Sequence, residues 1–168
     1  MENTSIKSGW ELWYHSISDS KWDKKSYSKL YSIKSLYDVK LIKDTFKQNH
    51  YQNGMFFLMK DNVFPNWEDP NNRLGGCLSF KVPSNKIIEE WNMLLINCIN
   101  ETIMDNENGN INENENDNIN GISISPKKEF NIIKVWFREN PGELKDKLKS
   151  VGDHLNIDNS IYKKHIIN

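Results

Sequence analysis

Strand-like and helix-like apolar patterns follow one another three times along the chain in the order strand, strand, helix. This repeated order limits the fold more than any other feature. Trp10-Glu11-Leu12-Trp13-Tyr14 and Lys29-Leu30-Tyr31-Ser32-Ile33 suit strands, and Leu36, Val39, Ile42 and Phe46 then recur at three and four, as on one helical face. Met55 to Met59 is an apolar run and Cys77 to Val82 alternates, both as strands do. Ser84 is the expected N-cap of a long helix whose apolar stripe is Ile87, Trp91, Leu94, Leu95, Cys98 and Ile99. Gly121 to Ser125 and Ile132 to Phe137 read as the third pair of strands. Asn140-Pro141-Gly142-Glu143 then offers an N-cap, Pro at the first helical position and an acid at the third, and Leu144, Leu148, Val151 and Leu155 predict a third helix. A last short strand is expected over Ile161 to Ile167. The class is therefore α+β: one mainly antiparallel sheet backed on one face by three long helices, with the other face free to curve around a ligand.

Length supports one core, since 168 residues lie close to the roughly 150 of a typical domain. A single domain over residues 1–168 is expected. No stretch approaches the roughly 18 consecutive apolar residues of a membrane span, and Met1 to Lys7 has no signal-like apolar run. A monomeric, cytoplasmic protein without a membrane partner is the expectation. Cys77 and Cys98 are too few for a disulfide framework and have neither CxxC spacing nor a nearby His, so two buried thiols are expected and no metal or cofactor.

The net charge of −1 conceals an asymmetry. Asp105, Glu107, Glu113, Glu115 and Asp117 share a segment that has no Lys or Arg, and removing these five acids turns −1 into +4. The remaining body is mildly basic, which suits a ligand with a few phosphates and not DNA or any other duplex. From Asn106 to Asn120 every second residue is Asn, so 105–120 reads as a low-complexity, mobile loop.

Catalytic patterns are missing. His15, His50, His154 and His165 are scattered, none within HExxH or GxSxG, and no Gly-rich phosphate loop occurs. The histidines read as surface or strand-edge residues, and the chain as a binding protein and not an enzyme. The tryptophans are more informative. Trp91 belongs to the helical stripe, whereas Trp22 lies in the polar Ser20-Lys21-Trp22-Asp23-Lys24-Lys25, and Trp67 in the Pro-bounded Phe64-Pro65-Asn66-Trp67-Glu68-Asp69-Pro70. A large aromatic in a polar loop either caps the core or presents its face to a ligand.

These residues, in order, carry a resemblance. Trp10-Glu11-Leu12-Trp13-Tyr14, Lys21-Trp22, Lys60 to Asp69 with its Pro-x-Trp-Glu-Asp core, Asn72-Arg73-Leu74-Gly75-Gly76, Trp91 and Val135-Trp136 resemble the eukaryotic translation initiation factor 4E family, which binds the messenger RNA cap. The resemblance implies a curved antiparallel sheet with three helices on its convex face. It makes Trp22 and Trp67 a sandwich for the 7-methylguanine base, with Trp136 closing the slot against the methyl group. It gives Glu68 to the base's N1–H and N2–H₂ edge, whose two parallel donors a carboxylate accepts together. Lys127 stands where the family commonly has a base, and Lys134 shares a strand face with Trp136, so these two are the expected phosphate contacts.

The departures concern charge and partner. Cys77 and Ile132 stand where the family has basic residues, Lys128 and Arg138 being the nearby substitutes, and with the chain ending at Asn168 the phosphate-covering loop is expected to be absent. Leu36-Tyr37-Asp38-Val39-Lys40 replaces the Val-x-x-Phe-Trp signature whose Trp docks the scaffold factor 4G. Lys40 thus takes the docking position, with Leu95 and Ile96 as the expected apolar remainder of that face. An initiation factor is the first reading. A cap-binding repressor or cap shield that does not recruit 4G is the second, and a carbohydrate-binding or other aromatic-platform module is the alternative of another class.

Overall fold

The computed structural model of the chain describes residues 4–104 and 113–166. Its seven strands are β1 (Ser5–Ser16), β2 (Tyr27–Ser35), β3 (Gly54–Lys60), β4 (Gly76–Pro83), β5 (Ile119–Pro126), β6 (Phe130–Phe137) and β7 (Ser160–Lys164). They form one curved sheet in the order β2-β1-β3-β5-β6-β4-β7, antiparallel at every described pairing. The helices are α1 (Leu36–Thr45), α2 (Gln48–Asn53), α3 (Ile87–Ile99) and α4 (Glu113–Asp117). The α+β class and the antiparallel sheet agree with the sequence pattern.

Local signals explain the long elements. Ser35 Oγ accepts from the Asp38 N–H at 3.3 Å while Asp38 Oδ2 accepts from the Ser35 N–H at 3.1 Å, a reciprocal cap that fixes where β2 becomes α1. On α3, Ile87, Trp91, Leu94, Leu95 and Cys98 are buried against the sheet. They meet Trp10, Leu12, Leu58, Leu78, Phe80, Ile122 and Val135, which occupy one side of the strands because side chains alternate with period two. A second, smaller cluster of Tyr27, Phe57, Met59, Val63, Cys77 and Trp136 lies on the opposite side of the sheet. Both cysteines are buried and unpaired, and burial pushes each thiol up to about 12, so both stay protonated. No helix among the described residues is long and apolar enough to cross a membrane.

The third long helix does not form. Gly142–Lys147 makes a 3₁₀ turn, Leu148 is extended, and Met104 bridges to Leu148. Asn140 does bond the Gly142 N–H at 3.1 Å, but Gly142 has φ +56°, which a right-handed helix start excludes. Tertiary bonds hold the rest: Lys149 N–H donates to Ile103 O at 2.8 Å, and His154 bonds Glu90 through its backbone N–H at 2.7 Å and its ring at 2.6 Å. A continuous helix would lose these, and Leu148 and Leu155 are buried without it. Ser84 is likewise inside a 3₁₀ turn, Ser84–Lys86, and gives no side-chain cap to α3.

The Asn-rich segment also differs from expectation. Residues 105–112 lie outside the described residues, but Glu113–Asp117 is helical and Ile119 and Asn120 belong to β5. Asn116 is buried and exchanges two 3.0 Å hydrogen bonds with the backbone of Met104. The last strand is Ser160–Lys164, shorter than expected, and Ile167 lies outside the described residues.

Candidate functional site

On the side of the sheet away from α3, a cavity of about 520 Å³ opens between the β1–β2 loop, the β3–β4 loop and the strands β3, β5 and β6. Trp22, Trp67, Glu68, Lys127, Lys134 and Trp136 all line it. Six side chains singled out from four separate stretches of sequence therefore meet in one place. Ile132 lines it as well, whereas Lys128 and Arg138 do not.

Trp22 is half exposed on the β1–β2 loop, its ring stacked on His15 with centroids 3.8 Å apart and planes 6° from parallel. His15 is fully buried and fastens that loop through its ring: Nδ1 lies 2.8 Å from Ser16 O, and Nε2 lies 2.8 Å from Lys21 O. Asp23 Oδ1 accepts from the Lys25 and Ser26 N–H groups, each at 3.0 Å, closing the turn just beyond Trp22.

Trp67 is also half exposed, on the β3–β4 loop. The buried Asn72 holds this loop: its amide donates to Phe64 O and Asn66 O, both at 2.9 Å, and its Oδ1 accepts from Asn120 at 2.8 Å. Asn120 is the extra residue of a bulge in β5, between the Ile119–Phe137 and Gly121–Trp136 pairs, and the bulge turns its side chain toward the loop. Behind Trp67 lies His165, 5.6 Å away between centroids and 14° from parallel. Its Nδ1–H donates to Asn72 O at 2.9 Å, which leaves Nε2 as the acceptor for the Cys77 thiol at 3.3 Å. Burial lowers the His165 pKa and raises that of Cys77, so the pair is neutral. Gly75 is where the loop rejoins the sheet, and a Cβ there would stand 1.8 Å from Phe137 O.

Trp136 forms the floor. It is buried, and its Nε1–H donates to Ser123 Oγ at 3.0 Å. Glu68 is exposed at the rim, and its charge adds to burial in raising the Tyr27 hydroxyl to about 12. Lys127 is exposed in the β5–β6 hairpin, and Lys134 is half-buried one turn of the strand pleat from Trp136.

The partner-face residues divide. Lys40 and Ile96 line a second groove of about 340 Å³ between α1 and α3, together with Leu36, Val39, Lys43 and Ile99. Leu95 does not reach it, because it is fully buried on the sheet-facing side of α3, about 100° around the helix from Ile96. Lys40 is ion-paired with Asp44 one turn on. Of the histidines expected at the surface or at strand edges, His15 is instead buried in the inner strand β1 and His165, just past the edge strand β7, is buried too, each behind one of the two exposed tryptophans. Nothing in the local sequence marks either one, since each meets its indole only through the fold. Among the described residues no His, Cys, Asp and Glu side chains gather to hold a metal ion.

A family model described as eukaryotic initiation factor 4E matches residues 5–166. Among curated proteins, eukaryotic translation initiation factor 4E of Candida albicans is 32% identical over 105 residues, which are 60% of this chain and 44% of that protein. The match thus spans less than half of that relative's length. Ascaris suum eIF4E-3, solved with an m7G cap, superposes with a TM-score of 0.75 at 20% identity, covering 98% of this chain and 93% of that one. Caenorhabditis elegans eIF4E-3, solved with the 4E-binding protein Mextli and a cap analog, gives 0.77 at 20% identity over 98% and 94%. These solved structures share the fold described above.

Proposed function

The chain belongs to the eukaryotic initiation factor 4E family, and from that premise we propose that it binds the 7-methylguanosine cap of messenger RNA as a cytoplasmic translation initiation factor, without chemistry on the cap. The observation that carries the reading is the convergence of Trp22, Trp67, Trp136, Glu68, Lys127 and Lys134 on one cavity. A guanine methylated at N7 carries a delocalised positive charge, and two indole faces hold it by stacking worth about 1–3 kcal/mol each. The cation–π increment of about 0.5–2 kcal/mol is available only to the methylated base. Glu68 at the rim accepts from the N1–H and N2–H₂ edge, bonds that are stronger for being charge-assisted on a cationic base. Trp136 meets the methyl group from the floor, and Lys127 and Lys134 take the phosphates.

The test is retention on immobilised cap with elution by free cap analogue, set against unmethylated guanosine nucleotide and sugars. Selective elution by cap analogue is expected. Elution by sugars, or equally by unmethylated nucleotide, would instead indicate a general aromatic platform.

Lys40 favours a second reading of the role, that of a cap-binding repressor or shield. Its ammonium stays hydrated and paired with Asp44 in the groove where an apolar anchor would need to be buried. A scaffold helix of the Tyr-x-x-x-x-Leu type is expected to bind at least about tenfold more weakly than to Lys40→Trp, a difference of about 1.4 kcal/mol. Calorimetry decides: tight binding by the wild type, unimproved in Lys40→Trp, would restore the initiator role.

A further inference from the structure

Resting on that cap-binding reading, we infer that the open face of β6, β4 and β7 beyond the cavity binds the first RNA nucleotides that follow the cap. Strand register decides which side chains share this face. Trp136 pairs with Cys77 and Cys77 with Lys163; Lys134 pairs with Ser79 and Ser79 with Ile161; Ile132 pairs with Lys81. Paired residues in antiparallel strands project to the same side, so Lys134, Lys81 and Lys163 stand on the side that carries Trp136. The Lys81 ammonium lies 4.2 Å from the centre of the Phe130 ring, on that same side.

With strands about 4.8 Å apart and residues about 3.4 Å apart along them, Lys163 starts about 10 Å from Trp136 and Lys81 about 14 Å from it. Those spans exceed the base held over Trp136, and the cap's triphosphate bridge carries the chain across them to the nucleotides beyond. Lys81 and Lys163 are exposed, and among the described residues no carboxylate lies within ion-pair distance of either or of Lys134. At the other end of the sheet, by contrast, Lys29 on β2 is neutralised by Glu11 on β1. Three uncompensated ammonium groups around the Ser79 hydroxyl repel one another until an anion joins them. Ile161, 70 % exposed beside Ser79, adds an apolar surface on which a base can rest. Continuity with a slot for the end of an RNA chain makes the phosphodiester backbone the fitting polyanion, ahead of an acidic peptide.

The experiment compares cap mononucleotide with capped oligoribonucleotides of increasing length, titrated over a salt series against wild type, Lys81→Gln, Lys163→Gln and the double variant, each checked for native circular dichroism. Affinity of the wild type is expected to rise with length. The double variant should lose about tenfold on the longer RNAs, with a salt slope shallower by about 1.4, and bind the mononucleotide as before. A wild type that binds the mononucleotide and gains nothing from length would overturn the inference, as would a double variant that keeps both the gain and the slope. Displacement of the longer RNA by an acidic peptide but not by uncapped RNA would overturn the choice of ligand. Failure of the cap-binding reading appears elsewhere, as wild type that does not bind the mononucleotide.

Discussion

The two exposed walls of the cavity present the same residue, a half-exposed tryptophan backed by a buried histidine, but they are held by different means. Trp22 is held within its own stretch of chain: His15 stacks against the indole and its ring meets Ser16 O and Lys21 O, while Asp23 closes the turn beyond. Trp67 depends on a network drawn from three parts of the chain, in which Asn72 braces two loop carbonyls, Asn120 reaches across from β5, and His165 joins Asn72 to Cys77. A wall held by contacts within one stretch of chain fails locally. One with distributed support is stiffer, and damage to any member spreads to the others.

The largest expected effect treats the walls alike. Trp22→Ala and Trp67→Ala should each remove about 1.5–5 kcal/mol of cap affinity, stacking and cation–π together, enough to abolish retention on immobilised cap. Normal retention by both folded variants would dismiss the slot. Asn72→Ala comes next and separates the walls. It leaves Asn66 O unpartnered and takes one of two hydrogen bonds from Phe64 O and from the Asn120 amide, at about 1–3 kcal/mol for a group left unpaired where water does not reach, so thermal stability should fall together with cap affinity. His15→Ala should weaken cap binding by about tenfold, or about 1.4 kcal/mol, with a smaller fall in melting temperature than Asn72→Ala, and His15→Phe should recover most of that affinity by restoring a flat ring. Equal losses for Ala and Phe would show that the loop bonds of His15 matter more than its stack.

The smallest effect is a pH dependence confined to the Trp67 wall. Burial holds the His165 ring below its ordinary 6.5, the Lys134 charge assists, and the Asn72 carbonyl and the Glu68 charge oppose. The unfolded chain therefore takes up this proton before the folded one does. Stability from His165 is complete above about pH 6.5 and declines as pH falls through that value toward the lowered one. His165→Phe should flatten this part of the stability profile, and an unchanged profile would assign it to other groups.

What the sequence made legible follows from how each feature is encoded. The six cavity residues were reached through the ordered motifs, such as Pro65 to Asp69, that carry the family resemblance, while the strands and α3 are written in local periods and could be read along the chain. The histidines could not, because the parallel contacts of His15 with Trp22 and of His165 with Trp67 exist only after β1 and β7 take their places in the sheet. Leu95 and Ile96 are adjacent in sequence and lie on different sides of one helix, and only packing tells which reaches the groove. The predicted third helix had a start signal and an apolar period. Its bonds to Ile103 and Glu90, distant in sequence, won over local propensity. Asn120 was hidden for the opposite reason: it is one Asn in a tract of them, and a bulge gives it a role its neighbours lack.

That bulge has a bearing on the protein's chemical lifetime. Asn120 precedes Gly121, the pairing most prone to cyclise to a succinimide and hydrolyse to aspartate, because glycine's backbone N–H meets the least steric hindrance as it attacks the side-chain amide. Here the amide nitrogen is occupied at 2.7 Å from Asn71 O and 2.8 Å from Asn72 Oδ1, and the strand holds the backbone extended, away from the ring-closing geometry. Native molecules should therefore age slowly at this bond and unfolded ones quickly. Once converted, the new carboxylate would face two oxygen acceptors with no hydrogen to offer them, and the loop carrying Trp67 would come loose from β5. A deamidated fraction of an old preparation should accordingly be the fraction that fails to hold the cap.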